Sequence, residues 1–374
     1  MQEFRMPALG ADMEMGRLVQ WCVPAGTHVK PGDVVAVVET QKGAIDVEIF
    51  LDGVLEDLVP LGTELPVGGV LAHVRGQEEA PGAVAKEPVP PATRVRASPA
   101  ARRRAQELGV DLAALAGSGP DGVIALADVE RATQLRPPPA AQPAPAGFDP
   151  AQMSAAIATA MGRSKREIPH YYLTQAIDFG AAQQWLTAYN EQRAPAERLL
   201  AAVLFLKATA LALRQVPQLN GFWRDGAAQL APSVHPGWAI SLRGGGLVAP
   251  ALHDADRASL PALMVALRDL VQRARNGRLR SSELSDPTVT VTSLGERGAD
   301  SVLGVIYPPQ LALIGFGRIV TRPWVADGQL VVRPVVQASV AADHRASDGH
   351  LGARFLELLD AGLQDPAALA RSTT

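Results

Sequence analysis

Two stretches of this chain cannot belong to any folded core. Residues 76–95, GQEEAPGAVAKEPVPPATRV, and 134–149, QLRPPPAAQPAPAGFD, are dominated by Ala, Pro, Gly and polar or charged residues. That composition buries too little apolar surface to offset the entropy of ordering a chain, and its prolines favour extended backbone. At about 3.1 Å per residue in polyproline geometry, the first stretch alone reaches roughly 60 Å. The chain is therefore expected to be three bodies on two flexible linkers: 1–75, 96–133 and 150–374. Its 374 residues suit two or three domains, and 47% hydrophobic residues suffice to give them cores.

Charge and cysteine use narrow the classes. The net charge of −3 gives no reason to expect nucleic acid, and the run Arg102, Arg103, Arg104 is too short to change that. The single cysteine, Cys22, excludes an intramolecular disulfide and suits a reducing compartment. The opening MQEFRMPALG has no apolar signal core, and the apolar run Leu199–Leu213 is interrupted by Lys207 and too short to span a bilayer. No membrane association, no metal site and a cytoplasmic location are expected.

Residues 1–75 read as short strands between turns at Pro24-Ala25-Gly26, Lys30-Pro31-Gly32-Asp33, Leu51-Asp52-Gly53 and Pro66-Val67-Gly68-Gly69. Val34–Glu39 and Ile45–Phe50 form a hairpin with Lys42 at its tip. The segment resembles a lipoyl domain, through Met6-Pro7-Ala8-Leu9-Gly10, Gly16-Arg17-Leu18-Val19-Gln20-Trp21, Val29-Lys30-Pro31-Gly32-Asp33 and Glu39-Thr40-Gln41-Lys42. The resemblance implies a flattened all-β barrel with lipoic acid in amide linkage on Lys42. Gln41 and Gly43, where biotin-carrying domains have methionines, argue against biotin.

Residues 96–133 read as a small all-α body. Ser98-Pro99 starts a helix over Ala100–Leu108 that Gly109 ends, Asp111 caps a second turn at Leu112–Ala116, and Leu126–Ala132 is a last helix. The segment resembles a peripheral subunit-binding domain. This implies docking, through Arg102, Arg103 and Arg104, of a 2-oxo acid decarboxylase/dehydrogenase component or dihydrolipoamide dehydrogenase.

Residues 150–374 alternate helical and strand patterns. Helices are expected at Ala201–Leu213 and Leu260–Arg275, the latter between Ser259 and Gly277, and strands at Trp238–Leu242, Val289–Val291, Gln310–Ile314 and Val331–Ala338. Near the end stands Asp343-His344-Arg345-Ala346-Ser347-Asp348-Gly349, followed by a helix-like pattern. Histidine is the side chain whose ordinary pKa lets it take and return a proton near neutral pH.

This last segment resembles the catalytic domain of dihydrolipoamide acyltransferases, an α/β fold related to chloramphenicol acetyltransferase. The matching stretches are 164–172 (SKREIPHYY), 217–220 (PQLN), 246–250 (GLVAP), 290–295 (TVTSLG) and the His344 heptapeptide. The resemblance, which covers essentially the whole chain, implies acyl transfer from a lipoyl-lysine thioester to coenzyme A in a 2-oxo acid dehydrogenase complex. A non-catalytic, lipoyl-bearing scaffold is the alternative. It implies His344 as general base, Thr292 as hydroxyl donor to the oxyanion, Asp348 as a brace for the loop and Gly349 as a turn no side chain would permit. Relatives have basic residues in the Met153–Met161 stretch, which here reads MSAAIATAM, so Arg163 is the candidate partner for the aspartate. It also implies a homotrimer with sites between subunits. Larger cores are joined by an apolar C-terminal anchor, and only Leu369 is large and apolar after Asp365, so assembly is expected to stop at the trimer.

Overall fold

The computed structural model describes residues 1–9, 13, 15–40, 43–76, 97–108, 117–119, 123–129, 150–242, 246–296 and 298–371. Met1–Gly76 and Gly147–Thr374 form one compact unit and Gln77–Ala146 another. Lys42, both linkers, the turn at 112–116 and residues 372–374 lie outside the described residues.

The N-terminal barrel is built from eight strands: β1 (Gln2–Arg5), β2 (Met15–Trp21), β3 (His28–Val29), β4 (Asp33–Thr40), β5 (Gly43–Ile49), β6 (Gly53–Glu56), β7 (Glu64–Pro66) and β8 (Val70–Arg75). They form two sheets, β1-β8-β6-β3 and β5-β4-β2-β7. Alternation decides which side chains enter the core: Ile45, Val47 and Ile49 point in beside Leu18, Val38, Leu55 and Val74. Gly53 has a φ of 154°, and a Cβ there would meet the Arg75 carbonyl, so the turn into β6 admits only glycine. The expected hairpin is present. Thr40 and Gly43 are its last pair, so Gln41 and Lys42 alone lie between them in sequence.

In the second unit, Ser98 Oγ accepts from Ala101 N at 3.1 Å and starts the helix Pro99–Leu108 as expected. Asp128 folds the other side by accepting from Ser118 N and Ala125 N, both at 2.9 Å. Arg102, Arg103 and Arg104 are exposed.

The C-terminal domain opens with a helix over Pro150–Glu167. Its strands are β9 (His170–Asp178), β10 (Gly221–Arg224), β11 (Ala227–Leu230), β12 (Pro236–Trp238), β13 (Ile240–Ser241), β14 (Leu247–Val248), β15 (Leu279–Arg280), β16 (Val289–Ser293), β17 (Ala312–Phe316), β18 (Val320–Ala326) and β19 (Gln329–Asp343). The central sheet runs β12-β16-β17-β19-β18, with β9 also on β19. Its first three strands are parallel and the rest antiparallel. Helices Gly180–Glu191, Ala201–Gln215, Leu260–Arg275 and Gly349–Gln364 cover it through one core that includes Phe205, Leu267, Val291, Ile314, Phe316, Val340 and Phe355.

The helix calls on Ser259 and Gly277 agree with the structure: Ser259 Oγ accepts from Ala262 N, and Gly277 has a φ of 66°. The expected strand Trp238–Leu242 is instead two. Trp238 ends β12 in the central sheet, and Ile240 and Ser241 switch to a separate pair with β14. Lys207, which broke the apolar run, is wholly buried and donates to the carbonyls of Asp256 and Ala258 at 2.7 and 2.8 Å. Burial lowers its pKa. Among the described residues no helix is long and apolar enough to cross a membrane. Leu369 is buried in its own chain's core.

Candidate active site

His344 sits in the turn between β19 and the helix Gly349–Gln364, exposed to solvent. The turn is clamped from every side. Asp343, wholly buried, accepts from Arg345 through its backbone N at 3.0 Å, its Nε at 2.9 Å and its Nη2 at 2.6 Å. Its carbonyl accepts from Ala346 N and Ser347 N at 3.0 and 3.1 Å. Arg345 in turn lies 4.2 Å from the centre of the Trp223 ring. A buried carboxylate is tolerable only when its charge is met in this way.

The chain before β9 supplies the other wall. His344 N donates to the Pro169 carbonyl at 3.0 Å. The Tyr171 ring meets the His344 imidazole edge to face, with centroids 5.1 Å apart, and its hydroxyl lies 2.9 Å from Ser347 Oγ. Burial raises the Tyr171 pKa, so the phenol stays protonated at neutral pH. Gly352 makes room for this ring, since a Cβ there would lie 3.0 Å from it and 2.9 Å from Leu173. Neighbouring His170 accepts from Ile306 N on Nε2 at 3.1 Å, which leaves Nδ1 to donate to the Ile168 carbonyl at 2.8 Å. Burial lowers its pKa, as suits a neutral ring with a bracing role.

Asp348 is the N-cap of the helix that follows, its Oδ1 accepting from Leu351 N at 3.0 Å. Gly349 does not make the expected turn. It is the first residue of that helix, has no positive φ, and a Cβ there would meet nothing within 4 Å. Arg163 does not pair with Asp348; its Nε binds Glu167 at 3.0 Å, one helical turn away.

Thr292 is half-buried on β16, and register places it far from His344. It pairs with Gly315, which pairs with Ser339, and His344 lies five residues beyond Ser339 toward the other end of the sheet. At about 3.4 Å per residue that is roughly 17 Å along the strands, with two strand spacings to cross as well. One chain therefore brings together Tyr171, Asp343, His344, Arg345 and Asp348 but not Thr292. Tyr171 stood inside a recognised stretch, yet no spacing in the sequence ties it to His344. Trp223 carried no signal.

Residues 149–371 match the 2-oxoacid dehydrogenases acyltransferase (catalytic domain) family, 95–130 the e3 binding domain and 2–74 the biotin-requiring enzyme domain. The chain is 31% identical to the dihydrolipoyllysine-residue acetyltransferase component of the pyruvate dehydrogenase complex of Rhizobium meliloti, over 97% of this chain and 98% of that one. It is 30% identical to the corresponding component of the acetoin cleaving system of Bacillus subtilis, over 97% and 98%. Its catalytic fold matches the dihydrolipoamide acetyltransferase of Azotobacter vinelandii with a TM-score of 0.55 and 28% identity, over 58% of this chain and 90% of that one. In that enzyme a serine, a histidine and an asparagine were investigated for their role in the catalytic mechanism. The chain belongs to the 2-oxo acid dehydrogenase acyltransferase family: a lipoyl barrel, a partner-binding domain and an acyltransferase core on one polypeptide.

Proposed function

We propose that this chain moves an acyl group from a thioester carried on Lys42 to coenzyme A, with His344 as general base and Thr292 as oxyanion donor. The observation that carries the reading is the His344 turn. An exposed imidazole is held on a loop anchored by the buried Asp343 and Ser347, the Pro169 carbonyl and the Asp348 helix cap. The two-residue tip left by the Thr40–Gly43 pair contains one amine, Lys42, able to take lipoic acid in amide linkage. When bound, lipoic acid supplies a thiol that carries the acyl group on a long arm.

The chain's own residues do the rest. His344 accepts the proton of the attacking thiol as its sulfur bonds to the thioester carbon. Negative charge gathers on the carbonyl oxygen, where a hydroxyl such as that of Thr292 stabilises it. The carbon–sulfur bond to the carrier then breaks and the imidazolium returns its proton to the leaving sulfur. In the Azotobacter enzyme the investigated serine, histidine and asparagine are separated by 52 and 4 residues, as are Thr292, His344 and Asp348 here.

The homotrimer of this family, with each site joining His344 of one subunit to Thr292 of the next, accounts for the distance between the two residues within one chain. Domain limits of 1–75, 96–133 and 150–374, docking of the decarboxylase and dihydrolipoamide dehydrogenase on 96–133, and a cytoplasmic location complete the reading. The test is acetyl transfer from acetyl-coenzyme A to free dihydrolipoamide by the full chain. Transfer that His344→Ala removes is expected, and a wild-type chain without transfer would leave only a lipoyl-bearing scaffold.

A further inference from the structure

The barrel does not end at its own edge. Strand β5, the hairpin arm that follows Lys42, is an edge strand of the barrel, and its open side is taken by β15 of the catalytic domain. The pairing is parallel, Leu279 with Ile45 and Arg280 with Asp46. We propose that Leu279–Leu284 is a dock for the chain's own lipoyl barrel, which adds β15 to its open edge between its visits to the site and to the partner enzymes. The inference rests on reading residues 1–75 as the lipoyl carrier.

Three features make this a built surface. Alternation along β5 sends Ile45, Val47 and Ile49 inward, which turns Asp46 and Glu48 outward. Outward acids on an edge strand ordinarily stay in water and repel other strands. Glu48 is instead buried, 7% exposed, with partners supplied by the other domain. Ser282 donates to its carboxylate from Oγ and, at 3.3 Å, from the backbone N; Arg280 lies 3.8 Å away; and Glu48 N donates to Ser281 Oγ at 3.1 Å. A carboxylate loses hydration on burial and recovers it only from such donors. Arg278 and Arg280 bring opposite charge to Asp46, although burial and Glu283 raise its pKa overall; Arg273 is held by Glu283 and Asp269. Finally, Leu284 packs against both the barrel core and the catalytic core. Backbone pairing, two acids beside Arg278 and Arg280 and a shared apolar contact select a partner with an acidic edge strand. The barrel's β5 is that strand.

The dock uses none of the residues of the His344 turn. Arg280 and the helix Ser281–Ser285 lead into β16, whose Thr290 is level, through Leu313, with Ala341 near the end of β19. The docked barrel is thus held at the end of the sheet where His344 stands, gripped by the arm of the hairpin that carries Lys42.

Hydrogen exchange read by mass spectrometry on the full chain tests this, with Glu48→Lys on the barrel side and Arg280→Glu on the catalytic side. Each single change should speed exchange on the order of tenfold in both 44–49 and 279–284, since undocking frees both strands at once. Transfer from acetyl-coenzyme A to free dihydrolipoamide should be unchanged in both variants. Exchange that speeds only around the substituted residue, or not at all, would overturn the dock while leaving the acyltransferase reading intact. Loss of transfer in the wild-type chain would overturn that reading and leave the dock standing.

Discussion

The two ends of the central sheet are built to different standards. At the end of β19, one chain fixes the backbone beneath His344 with the Asp343–Arg345 pair, the Pro169 carbonyl and the Asp348 cap, and sets the Tyr171 ring against its imidazole. At the far end, Thr292 is a half-buried strand threonine with none of these groups near it. Under the proposed function, the difference means that the chain completes the proton-transfer half of a site by itself and leaves the oxyanion half to be met across a subunit boundary.

Changes at the His344 end should be the most damaging. His344→Ala should lower acyl transfer by about 10²–10⁴-fold, the usual cost of a general base, whereas Asp348→Ala should mainly cost about 1 kcal/mol of stability as a lost helix cap. Equal loss of transfer in both would mean that Asp348 takes part in the chemistry. At the other end, Thr292→Ala should cost about 10²-fold in kcat with little change in KM. A silent Thr292 change would move the oxyanion donor elsewhere.

Arg345→Ala sharpens the comparison through stability. It strands the wholly buried Asp343 carboxylate, so chemical denaturation should show a loss of roughly 3–5 kcal/mol. A variant as stable as wild type would show that Asp343 does not depend on Arg345. The smallest effect belongs to Tyr171→Phe, which removes the hydroxyl beside Ser347 and keeps the ring against His344. A loss of about three- to tenfold in kcat is expected for one hydrogen bond. A loss as large as that of His344→Ala would give the phenol a chemical role.

Much of this was legible in the sequence where a local rule governs. Ser98 and Ser259 cap helices because their short oxygens reach the first free N–H groups, and Gly277 stops a helix by adopting positive φ. What escaped depends on distant contacts. No pattern joins Trp223 to Arg345, and an apolar run such as Trp238–Leu242 does not announce that its strand changes sheets midway. Gly349 misled because glycine beside an aspartate usually marks a turn; here the aspartate caps a helix that any residue could begin. Leu369, the one large apolar residue after Asp365, gave no sign in the sequence of what covers it, and its own core does.

The most direct measurement is subunit complementation. His344→Ala and Thr292→Ala chains, each inactive alone, are coexpressed with different tags and the mixed trimers isolated. If each site joins His344 of one subunit to Thr292 of the next, one interface in every mixed trimer receives both intact residues, so about a third of the sites in the isolated mixed trimers are restored. Acetyl transfer at about a third of the wild-type rate is the predicted result. Activity no greater than the sum of the two single variants, in a preparation shown to contain mixed trimers, would contradict the shared site.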